Sequence, residues 1–401
     1  MTAFSLPAAA GTTVEERLQL LESRLNSLER ENSSLKNQLA TAEQKASSAE
    51  RKVDAAGEQL DRLASQTKAA AAWAENTTFG GYGELHLNKL DNQKPGGADT
   101  DKLDFHRFVL FMGHKFSDRI RFFSELEVEH ALSTKDGPGE VELEQAYLDF
   151  LVSDNVSVRG GLFLMPVGII NETHEPPTFY GVERNPVESQ ILPSTWWEGG
   201  VMASARLGSG FTLDGAITSG LKTTAAKNYA VRSGRQKVAN AQAEDAAYTA
   251  RLKWTAVPGV ELAGTVHRQS DITQSADATA GGAWLYETHA VVNRGPFGLK
   301  ALYARWDLDG DGPKAAGADR QRGWYVEPSF RLNEQWGLFA RYNRWDNQAG
   351  DSIDSDYKQV DVGVNFWPHP DVVVKVDYQN QKAPNGKDEL DGFNVGLGYQ
   401  F

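Results

Sequence analysis

Gly392-Phe393-Asn394-Val395-Gly396-Leu397-Gly398-Tyr399-Gln400-Phe401 alternates without a slip. In an extended segment Phe393, Val395, Leu397, Tyr399 and Phe401 share one face, and Asn394, Gly396, Gly398 and Gln400 share the other. A strand of about ten residues, apolar on one face and small or polar on the other, suits lipid on one side and an aqueous lumen on the other. It reads as a strand of a transmembrane β-barrel.

The composition agrees. Among 401 residues there are 38 glycines, 10 % aromatics and no cysteine, which suits a large β protein in an oxidising compartment that does without disulfides. No run approaches the ~18 apolar residues of a spanning helix, which excludes a helical inner-membrane protein and leaves a barrel open. The net charge of -13 argues against nucleic acid as a partner, because phosphate neutralisation needs a basic surface. Residues 1–13 include Phe4-Ser5-Leu6-Pro7-Ala8-Ala9-Ala10, with small residues at the two positions of an A-x-A cleavage site and no charged segment before it. They read as the residual end of an export signal or as a disordered leader.

Residues 14–70 follow another rule. With Leu18 at heptad position a, the a positions are Leu18, Leu25, Asn32, Leu39, Ala46, Val53 and Leu60. The d positions are Val14, Leu21, Leu28, Leu35, Ala42, Ala49, Ala56 and Leu63. A repeat held this long specifies a left-handed coiled coil, with Asn32 as the register-fixing polar residue. Arg24 with Glu29, Glu31 with Lys36, and Lys45 with Glu50 are g-to-e' pairs of opposite sign, which favour parallel chains. Arg17-Leu18-Gln19-Leu20-Leu21-Glu22 and Arg24-Leu25-Asn26-Ser27-Leu28-Glu29 fit the Arg-h-x-x-h-Glu pattern of three-stranded coils, so a homotrimer is expected ahead of a dimer. A solvated single helix would leave the leucine seam exposed. Residues 71–78 form a linker.

From residue 79 onward the period is two. Sixteen strand segments are expected, at 79–88, 103–116, 120–132, 140–153, 156–168, 198–208, 211–221, 246–257, 260–272, 283–295, 297–309, 322–333, 336–347, 357–370, 372–383 and 392–401. Tight turns such as Ser117-Asp118-Arg119, Ser209-Gly210 and Pro258-Gly259 follow the even-numbered segments, and longer loops follow the odd ones. That layout is the outer-membrane barrel with short periplasmic turns, and it puts the N-terminal coil in the periplasm. A soluble sandwich or propeller is disfavoured by strands such as Val372-Val373-Val374-Lys375-Val376-Asp377-Tyr378, where charges on the inner face would be ruinous in a dry core. Tyr82, Trp254, Trp284, Tyr286, Trp324, Trp336, Trp367 and Tyr399 lie near strand ends, as aromatic girdles require.

Between the fifth and sixth segments, residues 169–197 show no strand pattern, and loops that long inside a compact unit are usually functional. They follow Gly161-Leu162-Phe163-Leu164-Met165-Pro166-Val167-Gly168 and include Asn171-Glu172-Thr173-His174-Glu175-Pro176-Pro177 and Gly181-Val182-Glu183-Arg184-Asn185-Pro186. Here the chain resembles the phosphate-selective porin O/P superfamily, including its DcaP-like members, with a Gly-Leu-Phe-x-x-Pro-x-Gly strand running into a loop of this kind. The resemblance covers residues 79–401. It implies an all-β membrane protein, a trimeric, sixteen-stranded antiparallel porin whose third loop folds inward and narrows the pore. Candidate constriction residues are Asn171, Glu172, His174, Glu175, Glu183 and Arg184, some of which instead anchor the loop to the wall.

Strand parity turns Arg107, Arg121, Arg159, Arg206, Arg251, Lys253, Arg331, Arg341 and Lys375 toward the lumen, together with acids such as Glu84, Glu125, Glu127, Asp214, Asp361 and Asp377. Rings of charge set ion preference. The resemblance implies an anion-preferring path along basic residues; the mixed signs alone give a weakly selective pore with a transverse field. Asp307, Asp309 and Asp311 match the first half of a calcium loop but lack its bidentate glutamate, Ala318 standing at the twelfth position, so a solvated acidic loop is expected ahead of a weak Ca²⁺ site that would bridge lipopolysaccharide. Eight histidines form no H-E-x-x-H, and no nucleophile elbow or phosphate-binding glycine loop is present. The expectation is a channel for small hydrophilic solutes, phosphate or carboxylates first, with no cofactor and no enzymatic step. A barrel-anchored tether with cell-wall contact, or a general or sugar porin, are the alternatives.

Overall fold

The computed structural model describes residues 13–401, so of the expected leader only Thr13 falls within it. The chain forms two units, which meet between Glu75 and Asn76.

The first unit is one helix, α1 (Val14–Glu75), of 62 residues. Thr13 precedes it, and its amide donates to the Glu16 carboxylate at 3.0 Å, a side-chain cap on the first turn. Glu15 and Glu16 also place negative charge at the positive end of the helix dipole. The heptad leucines are exposed on the single chain, Leu18 by 54 % and Leu63 by 58 %, so among the described residues they pack against nothing that covers them.

The second unit is a closed antiparallel barrel of sixteen strands, each bonded to its neighbours in sequence. They are β1 (Thr77–Asn92), β2 (Thr100–Lys115), β3 (Ile120–Glu129), β4 (Val141–Ser153), β5 (Val156–Leu164), β6 (Trp197–Gly208), β7 (Phe211–Thr218) and β8 (Ala247–Trp254). They continue as β9 (Val260–Gln269), β10 (Ala283–Arg294), β11 (Phe297–Leu308), β12 (Arg320–Arg331), β13 (Trp336–Asp346), β14 (Tyr357–His369), β15 (Val372–Lys382) and β16 (Leu390–Gln400). The barrel closes where β16 pairs with β1, and Gly81 and Phe401 exchange two backbone hydrogen bonds at 2.9 Å. No strand edge is left within the bilayer, as a spanning sheet requires.

Burial follows the parity read from the sequence. Along β14 Val360 and Val362 face outward, whereas Asp361 and Asn365 are buried inside. Two girdle expectations fail. Tyr82 shares its parity with Glu84 and lies wholly inside the barrel, and Trp367 is buried with its indole N–H donating to the Pro177 carbonyl at 3.2 Å. The interior is also not uniformly wet. One continuous apolar cluster fills it beside β10 to β13, joining Val187, Ile191 and Trp196 of the third loop to Leu285, Trp306 and Tyr325 of the wall.

Candidate functional site

The third loop, residues 165–196, lies inside the barrel because the wall is built to receive it. Residues 177–182 run without a backbone ladder, so side chains of β13, β14 and β15 take their polar groups. Trp367 Nε1 and Asn365 Nδ2 donate to the carbonyls of Pro177 and Phe179. Arg341 Nη1 and Lys375 Nζ donate to those of Tyr180 and Gly181, and Asp377 accepts from the Val182 amide at 2.6 Å. Each buried backbone group gains a partner that water would otherwise supply. Glycine makes room for the approach: at Gly398 a Cβ would lie 2.3 Å from the Pro176 Cβ.

A second fastening starts from local sequence. Asn185 caps the short helix α2 (Pro186–Gln190), accepting from the Glu188 amide at 2.9 Å, with proline at the first helical position. The Glu188 carboxylate, fully buried, then accepts from the amides of Ile169 at 2.8 Å and Ile170 at 2.7 Å, from Asn185 Nδ2 at 3.1 Å and from the Tyr325 hydroxyl at 2.8 Å. One side chain ties the entry of the loop, its helix and the wall. An Asn-Pro-x-Glu run is legible as a helix start, and that was the available signal for Glu188.

Most of the loop residues singled out from the sequence serve this fastening. Asn171 is buried, donating to the carbonyls of Met165 and Trp196 and accepting from the Trp196 amide. His174 is buried with Nε2 3.3 Å from Glu125 and 3.7 Å from Glu144. Glu172 pairs with Arg251, and the Glu175 carbonyl accepts from the Thr178 amide at 2.9 Å at the start of a single 3-10 turn, Pro176–Thr178. Glu183 accepts from His86 and Asn88, both at 3.0 Å. Arg184 alone keeps spare donors: Nη1 reaches Thr195 at 2.7 Å, while Nε and Nη2 are buried without a partner.

The wall cations divide in two. Arg107 lies between Glu84 and Glu127, Arg251 between Asp214 and Glu172, and Arg341 between Glu327 and Asp361, while Lys375 also lies 3.5 Å over the Phe179 ring. These hold structure. Arg121, Arg159, Arg206, Lys253 and Arg331 sit toward the short-turn rim. Arg119, Arg121 and Arg206 line a recess of about 780 Å³ there, Arg159 stacks on Tyr147 at 4.5 Å and Arg331 on Trp367 at 3.6 Å. Lys253 lies 4.0 Å from Glu261.

The free charge of the lumen comes partly from an element the sequence reading passed over. The fourth loop, residues 219–246, sends Arg232 and Arg235 to the same cavity of about 220 Å³ that Arg184 enters. Arg232 Nη1 donates to the Pro193 carbonyl at 3.4 Å, and Arg235 to the Thr195 carbonyl. Burial, with Arg235 and Arg184 close by, pulls the Arg232 guanidinium down to about 9. Among the described residues, no carboxylate lies within 4.0 Å of any of the three arginines, whereas Glu84, Glu142, Glu144 and Glu183 around the same cavity each face an imidazole, lysine or arginine nitrogen within that distance. Glu129 is the remaining acid of the lining. The signal was Lys222, Lys227, Arg232, Arg235 and Lys237 against Glu244 and Asp245, a basic loop in an acidic chain.

The acidic stretch weighed as a weak calcium site is divided between two elements. Asp307 ends β11 and accepts from Arg305 at 2.7 and 2.9 Å, while Asp311 opens the helix α3 (Asp311–Ala315). Among the described residues, the three aspartates do not gather metal-capable atoms within 4.8 Å; Asp104, His106 and His130 do, as do Glu125, Glu144 and His174.

The family model for phosphate-selective porins O and P matches residues 79–401. The chain belongs to that family. It is therefore a channel of the outer membrane. An uncharacterized protein of Aquifex aeolicus (strain VF5) is 28 % identical over 356 residues, 78 % of each chain. An anion-selective porin from Comamonas acidovorans has the same fold at 12 % identity, with a TM-score of 0.60 over 81 % of this chain and 99 % of that one. The outer-membrane channel DcaP of Acinetobacter baumannii matches at 14 % identity, with a TM-score of 0.54 over 81 % of this chain and 97 % of its own.

Proposed function

We propose that this porin passes small hydrophilic anions, of the phosphate or carboxylate kind, by passive diffusion, and that it works as a homotrimer clamped by a parallel periplasmic coiled coil. The observation that carries the anion reading is the unpaired charge of the constriction: among the described residues, Arg184, Arg232 and Arg235 have no acid within ion-pair distance, and of the lining acids only Glu129 has no cation within it. Guanidinium groups suit phosphate and carboxylate because their forked donors meet two oxygens at once. At the short-turn mouth Arg119, Arg121 and Arg206 share their recess with Asp118 and Asp154. For the trimer, support comes from the exposed leucine seam of α1 and its unbroken heptads.

The test is the zero-current potential across a planar bilayer under a KCl gradient. Chloride should be preferred. A unit charge about 5 Å from the ion path contributes roughly 1 kcal/mol at the dielectric constant of water, with opposite signs for the two ions, so Arg232→Ala should lower the chloride-to-potassium permeability ratio on the order of fifteen- to thirtyfold at low salt. Arg235→Ala should act in the same sense and high salt should mute both. A potassium preference in the unmodified protein overturns the reading. Silence in the bilayer would instead favour a tether in which the barrel anchors the helix.

A further inference from the structure

We propose that Asp104, His106 and His130 form a binding site for a divalent transition-metal ion of the zinc type on the lumenal wall beside the constriction. The site begins with a bulge. In the β1–β2 ladder Glu84 faces Arg107 and Leu85 faces Phe105, so His106 is the extra residue. A bulge re-aims a side chain, and His106 joins Asp104 and Arg107 in facing the lumen. Its carbonyl accepts from the His130 amide at 3.1 Å, which fixes the third residue against the first two. His130 adopts φ 53°, in the left-handed region, just past the end of β3.

The donor atoms already converge. Asp104 Oδ2 lies 2.8 Å from His130 Nδ1 and 3.3 Å from His106 Nδ1, and the three donor atoms lie within 4.8 Å of one another. Ligand atoms on a tetrahedral zinc at about 2.0–2.1 Å are roughly 3.3 Å apart, so loading needs only small shifts. Two imidazoles with one carboxylate select borderline transition ions over Ca²⁺ or Mg²⁺, which take oxygen. The His86 ring stacks on His106 at 4.8 Å and backs the site on one side. Side-chain exposures of 10 %, 28 % and 22 % for Asp104, His106 and His130 leave the other side open to water or an anion as fourth ligand. Lys102, 3.2 Å from Asp104 and 54 % exposed, is free to swing aside on its flexible stem. The second cluster, Glu125 with Glu144 and His174, is fully buried and occupied in fastening the third loop.

The inference does not rest on ion selectivity, and it is tested by binding alone. Full-length protein without a polyhistidine tag, in detergent, is titrated with ZnCl₂ by calorimetry. One ion per chain is expected, with affinity reduced at least about tenfold by His130→Ala and by Asp104→Asn, and unchanged by His369→Ala on the opposite rim. No uptake by the unmodified protein, or equal uptake in both ligand variants, overturns the site. Should the variants fail to fold, Co²⁺ on the unmodified protein decides. The intense visible bands of a four-coordinate nitrogen and oxygen site support the proposal, and the weak spectrum of the hydrated ion refutes it.

Discussion

Replacing Glu188 by alanine should release the third loop without opening the barrel. Its carboxylate accepts four hydrogen bonds, from Ile169, Ile170, Asn185 and Tyr325, at 2.7 to 3.1 Å. The two loop amides left without a partner cost about 1–3 kcal/mol each. Relief of the carboxylate's own desolvation offsets part of that cost. A net weakening of roughly 2–4 kcal/mol remains, which raises the population of a detached loop about thirty- to a thousandfold. Amide hydrogen exchange should therefore accelerate at residues 166–173 and 185–192, while β14 to β16 keep their protection. Single-channel records should gain open-state noise. Glu188→Gln should do less, because its carbonyl still accepts from the two amides. Unchanged exchange across the loop in Glu188→Ala would refute the assignment of this residue as the central fastening.

Two further outcomes follow from the same geometry. Burial pushes the His174 imidazole down, but the hydrogen bond and charge of Glu125 outweigh it and the net pKa is raised from 6.5. A raised folded-state pKa means that this stabilisation is complete below about pH 6.5 and is lost as pH climbs through the folded value. Protease cleavage within residues 165–196 should therefore increase with alkalinity in the unmodified protein and show no such step in His174→Gln; a flat profile in both sinks the idea. Deleting residues 14–67 should leave single-channel conductance unchanged while lowering the trimer fraction seen by light scattering on dilution. A trimer that resists dilution equally without them would remove the helix from assembly.

How much of this was legible in the sequence depends on how far apart the interacting residues lie. The strands were readable because lipid and lumen impose opposite chemistry on alternate residues, so β14 and β16 announce both their span and their faces. Even Tyr82 carried its own answer: it shares the parity of Glu84, and strand-end position alone misled. The length of the third loop marked it out, while its place inside the barrel was implied only by the family resemblance. The partners of that loop were not, since Asp377 meets Val182 across 195 residues of chain and Arg341 meets Tyr180 across 161, and no local pattern links them. The basic fourth loop was visible as composition, yet only the fold brings Arg232 and Arg235 to Arg184.

That geometry changes what a charged lumen means. A count of inward-facing charges treats each as available to a passing ion, but Arg107, Arg251 and Arg341 are each held between two acids, and Lys375 and Asp377 are spent on the backbone of residues 181 and 182. One arginine shared by two ionised acids leaves a net negative charge on the wall, which is screened over about 8 Å at physiological ionic strength. On the proposed reading, selectivity falls first to the cations that the fold leaves without an acid, Arg184, Arg232 and Arg235 on the loops, so altering the loops should retune the pore, whereas altering the wall should first loosen the loop. Arg341→Ala should accordingly show itself as a mobile third loop before it shows any change in ion preference. A clean selectivity change with the loop still protected from exchange would mean that the paired wall charges are felt by the ion after all.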